Sequence, residues 1–258
     1  MKKTSGFNKT RLFKRISKSI TRRWLFILNK EVIKFKLHDI YLELNIRDSI
    51  DREIFFNGYY EEEQIKFLTN FIKKYNVTHF IDVGANIGVY SLRLSKQFPR
   101  LEVFAVEPHK HAFSRLENNI KINNLKKNIT TFNCALSNTD GNARLSSNRR
   151  FNTNQSGGAK ISEEGNLLIA QKLGDDLFNF LNQTVAIKID VEGFEINVLK
   201  GLNNFFSNNN ICLQIEIFEQ NFLQVSQYLK NLNFKLIHSD NFTHQSSVSD
   251  YFFLNFNV

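Results

Sequence analysis

From residue 79 onward, short apolar runs alternate with amphipathic ones, and this constrains the fold more than any other feature of the chain. Strands are expected at 79–83, 101–106, 129–135, 185–191 and 211–217. Helices are expected between them at 88–98, 110–123, 194–204 and 220–231. Strands linked through helices run parallel, so the pattern implies a mainly parallel sheet with helices on both faces. Two more strand-like runs, 234–238 and 251–256, have no clear helix between them and suggest a closing antiparallel hairpin. The polar stretch 146–170 interrupts the alternation and reads as a long functional loop.

Upstream, the period changes. Ile33, Phe35 and Leu37, then Ile40, Leu42, Leu44 and Ile46, alternate with polar residues on either side of His38-Asp39. That is the pattern of a β-hairpin with one buried face. Residues 61–75 follow as a helix with Ile65, Leu68, Phe71, Ile72 and Tyr75 on its apolar side. Three segments result: a basic arm over 1–30, a hairpin-and-helix extension over 31–76, and the alternating domain over 77–258.

Charge separates the arm from the body. Of the 34 Lys and Arg in 258 residues, ten fall within 1–30, which hold no Asp or Glu. The other 228 residues carry 24 basic and 25 acidic groups, so the body balances at −1 (24 − 25). This disfavours a broad nucleic-acid-binding face on the main domain. Phe13, Ile16, Ile20, Trp24 and Ile27 have helical spacing, with Lys14, Arg15, Lys18, Arg22 and Arg23 on the remaining surface. Three readings of residues 10–29 stay open: a helix packed on the body, an amphipathic helix on an anionic membrane surface, and a transit peptide. The run Trp24–Leu28 is far shorter than the about 20 residues a membrane span requires. A cytoplasmic protein is therefore expected, with contact at the inner face of the membrane as the alternative. Cys134 and Cys212 are read as reduced core residues.

The most informative stretch is His79-Phe80-Ile81-Asp82-Val83-Gly84-Ala85-Asn86-Ile87-Gly88. An apolar strand ends at Asp82, a glycine turn follows, and a helix begins near Gly88. Gly84 allows the backbone to approach a ligand closely, and Gly88 relieves crowding at the helix start. A dinucleotide fingerprint needs G-x-G-x-x-G. Here Asn86 replaces its middle glycine and Val89 its third, so a pyrophosphate fits poorly. Asp82 instead offers a carboxylate to an amine. The next strand ends in Glu107-Pro108, which places a second carboxylate where it can accept hydrogen bonds from both hydroxyls of a ribose. An amine partner followed by a ribose partner describes S-adenosylmethionine better than NAD.

These motifs resemble those of the FkbM family of S-adenosylmethionine-dependent methyltransferases. Asp82–Gly88 is similar to its first motif and Val106-Glu107-Pro108 to its second. Lys188-Ile189-Asp190-Val191-Glu192-Gly193-Phe194-Glu195 with Val198-Leu199-Lys200-Gly201 resembles its most distinctive one. Gly58-Tyr59-Tyr60-Glu61 resembles an upstream G-x-Y-E element, and Leu173-Gly174-Asp175-Asp176-Leu177 departs from the usual Leu-Asp-Asp at Gly174. The resemblance runs from about residue 48 to the end. It implies the class I methyltransferase fold, a Rossmann-like α/β architecture with a seven-stranded sheet. It also implies methylation of an oxygen on a sugar, glycan or small metabolite. By the same resemblance Asp82, Gly84 and Asn86 surround the methionine portion, Glu107 the ribose, and Cys134, Ala135 and Leu136 the adenine.

A hydroxyl acceptor benefits from a base or from electrostatic help near the carboxyl ends of the strands. Lys188 and Asp190 share one face of their strand, Glu192 follows at its exit, and Gln214 and Glu216 alternate along the next. Charges inside central strands are costly unless paired or used. Asp190 is the leading base or orienter and a further cofactor contact, with Glu192 beside it. Lys188 and Glu216 are read either as catalytic or as an ion pair across adjacent strands. His109 is either another base or a solvated loop residue. Arg149, Arg150, Asn152, Asn154, Gln155, Ser156, Gly157 and Gly158 suit a polyhydroxylated or anionic acceptor, or belong to a solvent loop. No metal is expected. A nucleic-acid methyltransferase is the enzymatic alternative, disfavoured because no N-P-P-Y or D-P-P-Y follows the fourth strand. The alternative outside enzymes is a non-catalytic S-adenosylmethionine-binding module.

Overall fold

The computed structural model describes residues 32–257 except 147–148, 151–152, 155–157 and 241–247. The basic arm, and with it the expected helix over 10–29, lies outside the described residues. In chain order the elements are β1 (Val32–Leu37), β2 (Ile40–Asn45), α1 (Ser49–Asn57), α2 (Glu62–Tyr75), β3 (His79–Val83), α3 (Val89–Gln97), β4 (Glu102–Val106) and α4 (Lys110–Ile122). Then come β5 (Ile129–Phe132), β6 (Ala135–Ser137), β7 (Gly141–Ser146), β8 (Arg149–Arg150), β9 (Thr153–Asn154), β10 (Lys160–Ile161) and β11 (Leu167–Leu173). The chain closes with α5 (Gly174–Leu177), β12 (Thr184–Ile189), α6 (Glu195–Gly201), α7 (Asn203–Ser207), β13 (Asn210–Phe218), α8 (Phe222–Asn231), β14 (Lys235–Asp240) and β15 (Val248–Leu254).

The main sheet has seven strands in the order β14-β15-β13-β12-β3-β4-β5. β13, β12, β3, β4 and β5 are parallel, while β15 runs antiparallel to both β13 and β14. The expected parallel sheet with a terminal antiparallel hairpin is present. Alternation along the strands builds a core on each face. Phe80, Val103, Ala186 and Cys212 join one core, and Ile81, Val106, Ile187 and Leu213 the other. The chain turns from β3 toward β4 on one side, and β12 occupies the other. The carboxyl ends of β3 and β12 therefore border the topological switch point, where open α/β sheets bind ligands.

The β1–β2 hairpin turns at His38-Asp39 and packs Leu37, Ile40, Leu42 and Leu44 into the first of these cores. Asparagine side chains of the body complete its hydrogen bonding. The Tyr41 amide donates to Asn123 Oδ1 at 2.8 Å and the Glu43 amide to Asn119 Oδ1 at 2.7 Å. Asn119 on α4 and Asn123 at its C-cap lie one helical turn apart, the spacing that matches alternate residues of an adjoining strand.

Three local expectations are corrected, and one helix without a sequence expectation is present. Residues 129–135 form two strands, because Asn133 Nδ2 donates to the carbonyls of Glu107 and Pro108 (2.8 and 3.3 Å) and β6 then pairs with β11 in a second sheet. That sheet, β10-β7-β11-β6, takes in part of 146–170, which is therefore not one loop. The run 194–204 splits into α6 and α7, whose start is capped by Asp175 accepting from the amides of Asn204 and Phe205 (3.1 and 2.8 Å). Finally, α1 fills 49–57, with Asp48 as N-cap and Gly58 in the left-handed conformation as C-cap. No helix among the described residues is long and apolar enough to cross a membrane.

Candidate functional site

A cleft opens at the carboxyl ends of β3, β4 and β12, where open α/β sheets bind small molecules. Of the residues singled out from the sequence, Asp82, Gly84, Asn86, Glu107, Cys134, Ala135, Leu136, Lys188, Asp190 and Glu192 line it. Gly88 and Glu216 are not among the lining residues.

The glycine turn is shaped by its surroundings as much as by any ligand. Gly84 has φ +82°, and a Cβ there would lie 1.9 Å from the carbonyl oxygen of Asp190. Its smallness thus lets the β3 exit close against the β12 exit, where the Asp190 amide donates to the Val83 carbonyl at 3.0 Å. Gly88 has φ +88°, and a Cβ would meet Leu116 of α4 at 2.4 Å, so it relieves crowding at the helix start as expected. Asn86 sits between them at φ +49°.

Glu107 is buried at the exit of β4. Its Oε2 accepts from the Asn86 amide at 2.8 Å and its Oε1 from the His109 amide at 2.7 Å. These two bonds fix the carboxylate, and each oxygen keeps further accepting capacity. Burial pushes its pKa up to about 7, against the two amides that favour the ionised form. Asp82 is also buried. Its Oδ2 accepts from the Ser91 hydroxyl (2.6 Å) and amide (3.2 Å), and burial raises its pKa despite Ser91 and the Lys188 charge.

Beyond Asp82 lies a compact charged group. Lys188 Nζ donates to Asp190 Oδ2 at 2.8 Å and stands 4.7 Å over the ring of Tyr90. Burial opposes the charge on Lys188, but Asp190, Glu61 and Asp82 together hold it protonated. Burial likewise opposes ionisation of Asp190, but Lys188 and a hydrogen bond with Glu216 lower its pKa below the usual range. Glu216 is shifted the other way, to about 10, by burial and by the Asp190 charge. The two carboxyls share one hydrogen bond, with burial and the Lys188 charge favouring the proton on Glu216 and the negative charge on Asp190. The expected ion pair between Lys188 and Glu216 is replaced by a Lys188–Asp190 pair, because Lys188 lies opposite Gln214 in register and Glu216 is two residues further along β13.

Glu192 has φ +53° and lines the cleft, accepting a hydrogen bond from the Gly158 amide. Glu195 Oε1 holds the same turn by accepting from the Gly193 amide at 2.7 Å. Gly158, Ala159 and Ile161 bring the end of the 146–170 stretch onto the cleft. The side chains of Arg149, Arg150, Asn152, Asn154 and Gln155, and residues Ser156 and Gly157, lie outside what the structure describes. His109 is neither a solvated residue nor a cleft residue. It is buried as the N-cap of α4, with Nδ1 accepting from the Ala112 amide and burial lowering its pKa.

Several lining residues carried no site role in the sequence reading, three of them from elements outside the strand exits. Ile50 and Tyr60 arrive from the extension, and Tyr90 stands on α3. The only sequence signal for Tyr60 was its place in the G-x-Y-E element. No metal-holding group of His, Cys, Asp and Glu occurs among the described residues.

Fold and site together define a class I methyltransferase architecture. The descriptive model of the methyltransferase FkbM domain matches residues 82–236, and the chain belongs to this family. The chain is 28% identical over 145 residues to Methyltransferase 1 of Beauveria bassiana, covering 48% of this chain and 58% of that protein. It is 30% identical over 134 residues to the hexuronic acid methyltransferase AglP of Haloferax volcanii, covering 51% of this chain and 53% of that one. It thus spans little more than half the length of these relatives. In fold it is similar to a tRNA m1G37 methyltransferase of M. jannaschii, with TM-score 0.50, 11% identity, and coverage of 88% of this chain and 57% of that one.

The family's cofactor is S-adenosylmethionine, and the residues present fit it. Glu107 is an immobilised carboxylate suited to two ribose hydroxyls, Asp82 and the Gly84–Asn86 turn suit the amino-acid portion, and Cys134, Ala135 and Leu136 give an apolar wall for the adenine.

Proposed function

We propose that the protein is an S-adenosylmethionine-dependent O-methyltransferase acting on a hydroxyl of a sugar, glycan or small metabolite. The observation that carries this reading is the Asp190 carboxyl on the cleft wall, with Lys188 Nζ donating to its Oδ2 at 2.8 Å and the Glu216 carboxyl hydrogen-bonded to it on the other side. S-adenosylmethionine supplies an electrophilic methyl group that is displaced in line. The chain's part is to align an acceptor, to exclude water, and to receive its proton. A carboxylate with both neighbours donating keeps its orientation while an acceptor O–H approaches. When the hydroxyl proton reaches Asp190, the Lys188 ammonium remains to balance the other carboxylates around it. The resemblance to a hexuronic acid methyltransferase supports a saccharide acceptor.

The test is transfer of a labelled methyl group to a panel of glycosides and uronic acids, followed by mild alkali. A methyl ether survives that treatment, whereas a methyl ester is released. Alkali-labile label, or label only on amines, would refute oxygen transfer to a hydroxyl. As part of the same proposal, residues 10–29 hold the enzyme to an anionic membrane surface. Co-sedimentation with phosphatidylglycerol vesicles that persists after deletion of residues 1–30 would remove that element.

A further inference from the structure

The extension lies outside the matched residues 82–236, yet Ile50 of α1 stands on the wall of the cleft. This residue is half-buried and packs against the first core. Asp48 and Asp51, both buried, flank Ser49-Ile50, and Arg115 of α4 grips the two of them. Arg115 Nη2 lies 3.7 Å from Asp48 Oδ2, and Arg115 Nη1 donates to Asp51 Oδ2. Asp48 Oδ1 also accepts from the Ile50 amide at 3.1 Å, and Asp51 Oδ2 from the Asn45 amide at 2.5 Å. The backbone at Ile50 is thus fixed from both sides. Apolar contact alone would dock α1 without taking three charged side chains largely out of water. A guanidinium between two carboxylates adds direction to the attraction.

The helix that carries Arg115 also sets other parts of the cleft wall. The amide of His109, the N-cap of α4, donates to Glu107 Oε1 at 2.7 Å. One turn beyond Arg115, Asn119 Nδ2 donates to the Ile87 carbonyl in the glycine turn at 2.9 Å. Glu107, Ile87 and Ile50 all line the cleft, so α4 governs their mutual spacing. Ile50 therefore reaches the cleft from the side of α4, the helix that follows Glu107 in the chain.

We propose that Ile50 is a cofactor-binding residue that packs against the nucleoside half of S-adenosylmethionine, and that Arg115 is the positioning residue that sets it there through Asp48 and Asp51. An apolar side chain on this side keeps water from the ribose hydroxyls and strengthens their hydrogen bonds to Glu107. The extension is then a part of the cofactor site, and the matched domain without it lacks one wall. The inference concerns the cofactor and holds whichever atom of the acceptor is methylated.

The test is calorimetric titration of the full chain with S-adenosylhomocysteine and with methylthioadenosine, which keeps the nucleoside and lacks the amino-acid portion. Ile50→Val is expected to weaken both ligands about threefold and Ile50→Ala about tenfold, a graded loss that follows the apolar surface removed. An unchanged dissociation constant for S-adenosylhomocysteine in Ile50→Ala would overturn the proposal. So would a loss seen with S-adenosylhomocysteine and absent with methylthioadenosine, which would put Ile50 against the amino-acid portion. Arg115→Lys keeps a positive charge and loses the two-pronged grip. It is expected to weaken both ligands about tenfold in the wild-type background and to add nothing in Ile50→Ala, because both changes act on one contact. Losses that multiply in the double variant would overturn the role of Arg115. Urea midpoints without ligand separate support of the fold from positioning. A lowered midpoint with unchanged affinity in Arg115→Lys would make the grip structural only and would likewise overturn that role.

Discussion

Gly84 and Asp190 approach so closely that a methyl group on the glycine would lie 1.9 Å from the aspartate carbonyl oxygen. The contact joins the exits of β3 and β12, and so joins the part of the cleft suited to the cofactor to the charged group suited to the acceptor. Gly84→Ala adds both a clash and a side chain at φ +82°. It is expected to cost at least about 2 kcal/mol in urea unfolding and to abolish S-adenosylhomocysteine binding. An unchanged unfolding midpoint would show that the two exits are not in contact.

Glu107 gives a pH dependence whose sign follows from its shift. Its pKa rises on folding from 4.5 to about 7, so the folded state holds more protons between those values. The contribution of Glu107 to stability is therefore greatest below pH 4.5, declines as pH rises, and is a penalty of roughly 3 kcal/mol above pH 7. Without ligand, Glu107→Gln sets an amide donor against one of the two backbone N–H donors, so it is expected to be less stable than wild type at pH 5 and to lack the decline toward pH 8. Ribose hydroxyls favour the ionised carboxylate, so wild-type affinity for S-adenosylhomocysteine should fall by up to about tenfold per pH unit below 7. Calorimetric titration across this range checks it, and the variant should lack the dependence.

Asp190 and Lys188 separate chemistry from support. Asp190→Asn keeps the shape and is expected to lower methyl transfer by about 100-fold while retaining S-adenosylhomocysteine binding. Lys188→Met removes the cation from between Asp190, Glu61 and Asp82. It should cost about 3 kcal/mol or more, because a carboxylate is left without its counter-charge. Single-turnover kinetics on the first and thermal unfolding on the second distinguish these effects. Full activity in Asp190→Asn would remove Asp190 from the reaction.

Asn119 bonds both to the Glu43 amide at 2.7 Å and to the Ile87 carbonyl at 2.9 Å. Asn119→Ala leaves both groups without that partner and is expected to cost about 2–3 kcal/mol. Hydrogen exchange should quicken at Glu43 while the Ile187 amide in the central sheet stays protected. Uniform loss of protection would mean that the hairpin and sheet open as one unit.

The chain's own order of residues determined a good deal. Periodicity placed every strand of the main sheet, and the residues at the strand exits marked Asp82, Glu107 and Asp190, which do meet in one cleft. These features are local: a strand's period and the residue at its end depend on neighbours within a few positions. Asp48 and Gly58, the caps of α1, were also present as a signal, but nine residues with little apolar periodicity concealed the helix between them.

Tertiary structure decided which groups face one another. Register set Lys188 opposite Asp82 and Gln214, which gave its charge to Asp190 rather than to Glu216. The turn into α4 carried His109 inward, and the packing of the extension brought Glu61 to Tyr90 across about thirty residues of chain. Sequence fixes what a strand is and where it ends. Which side chains converge depends on register and crossover, where a shift of one residue exchanges the two faces of a strand.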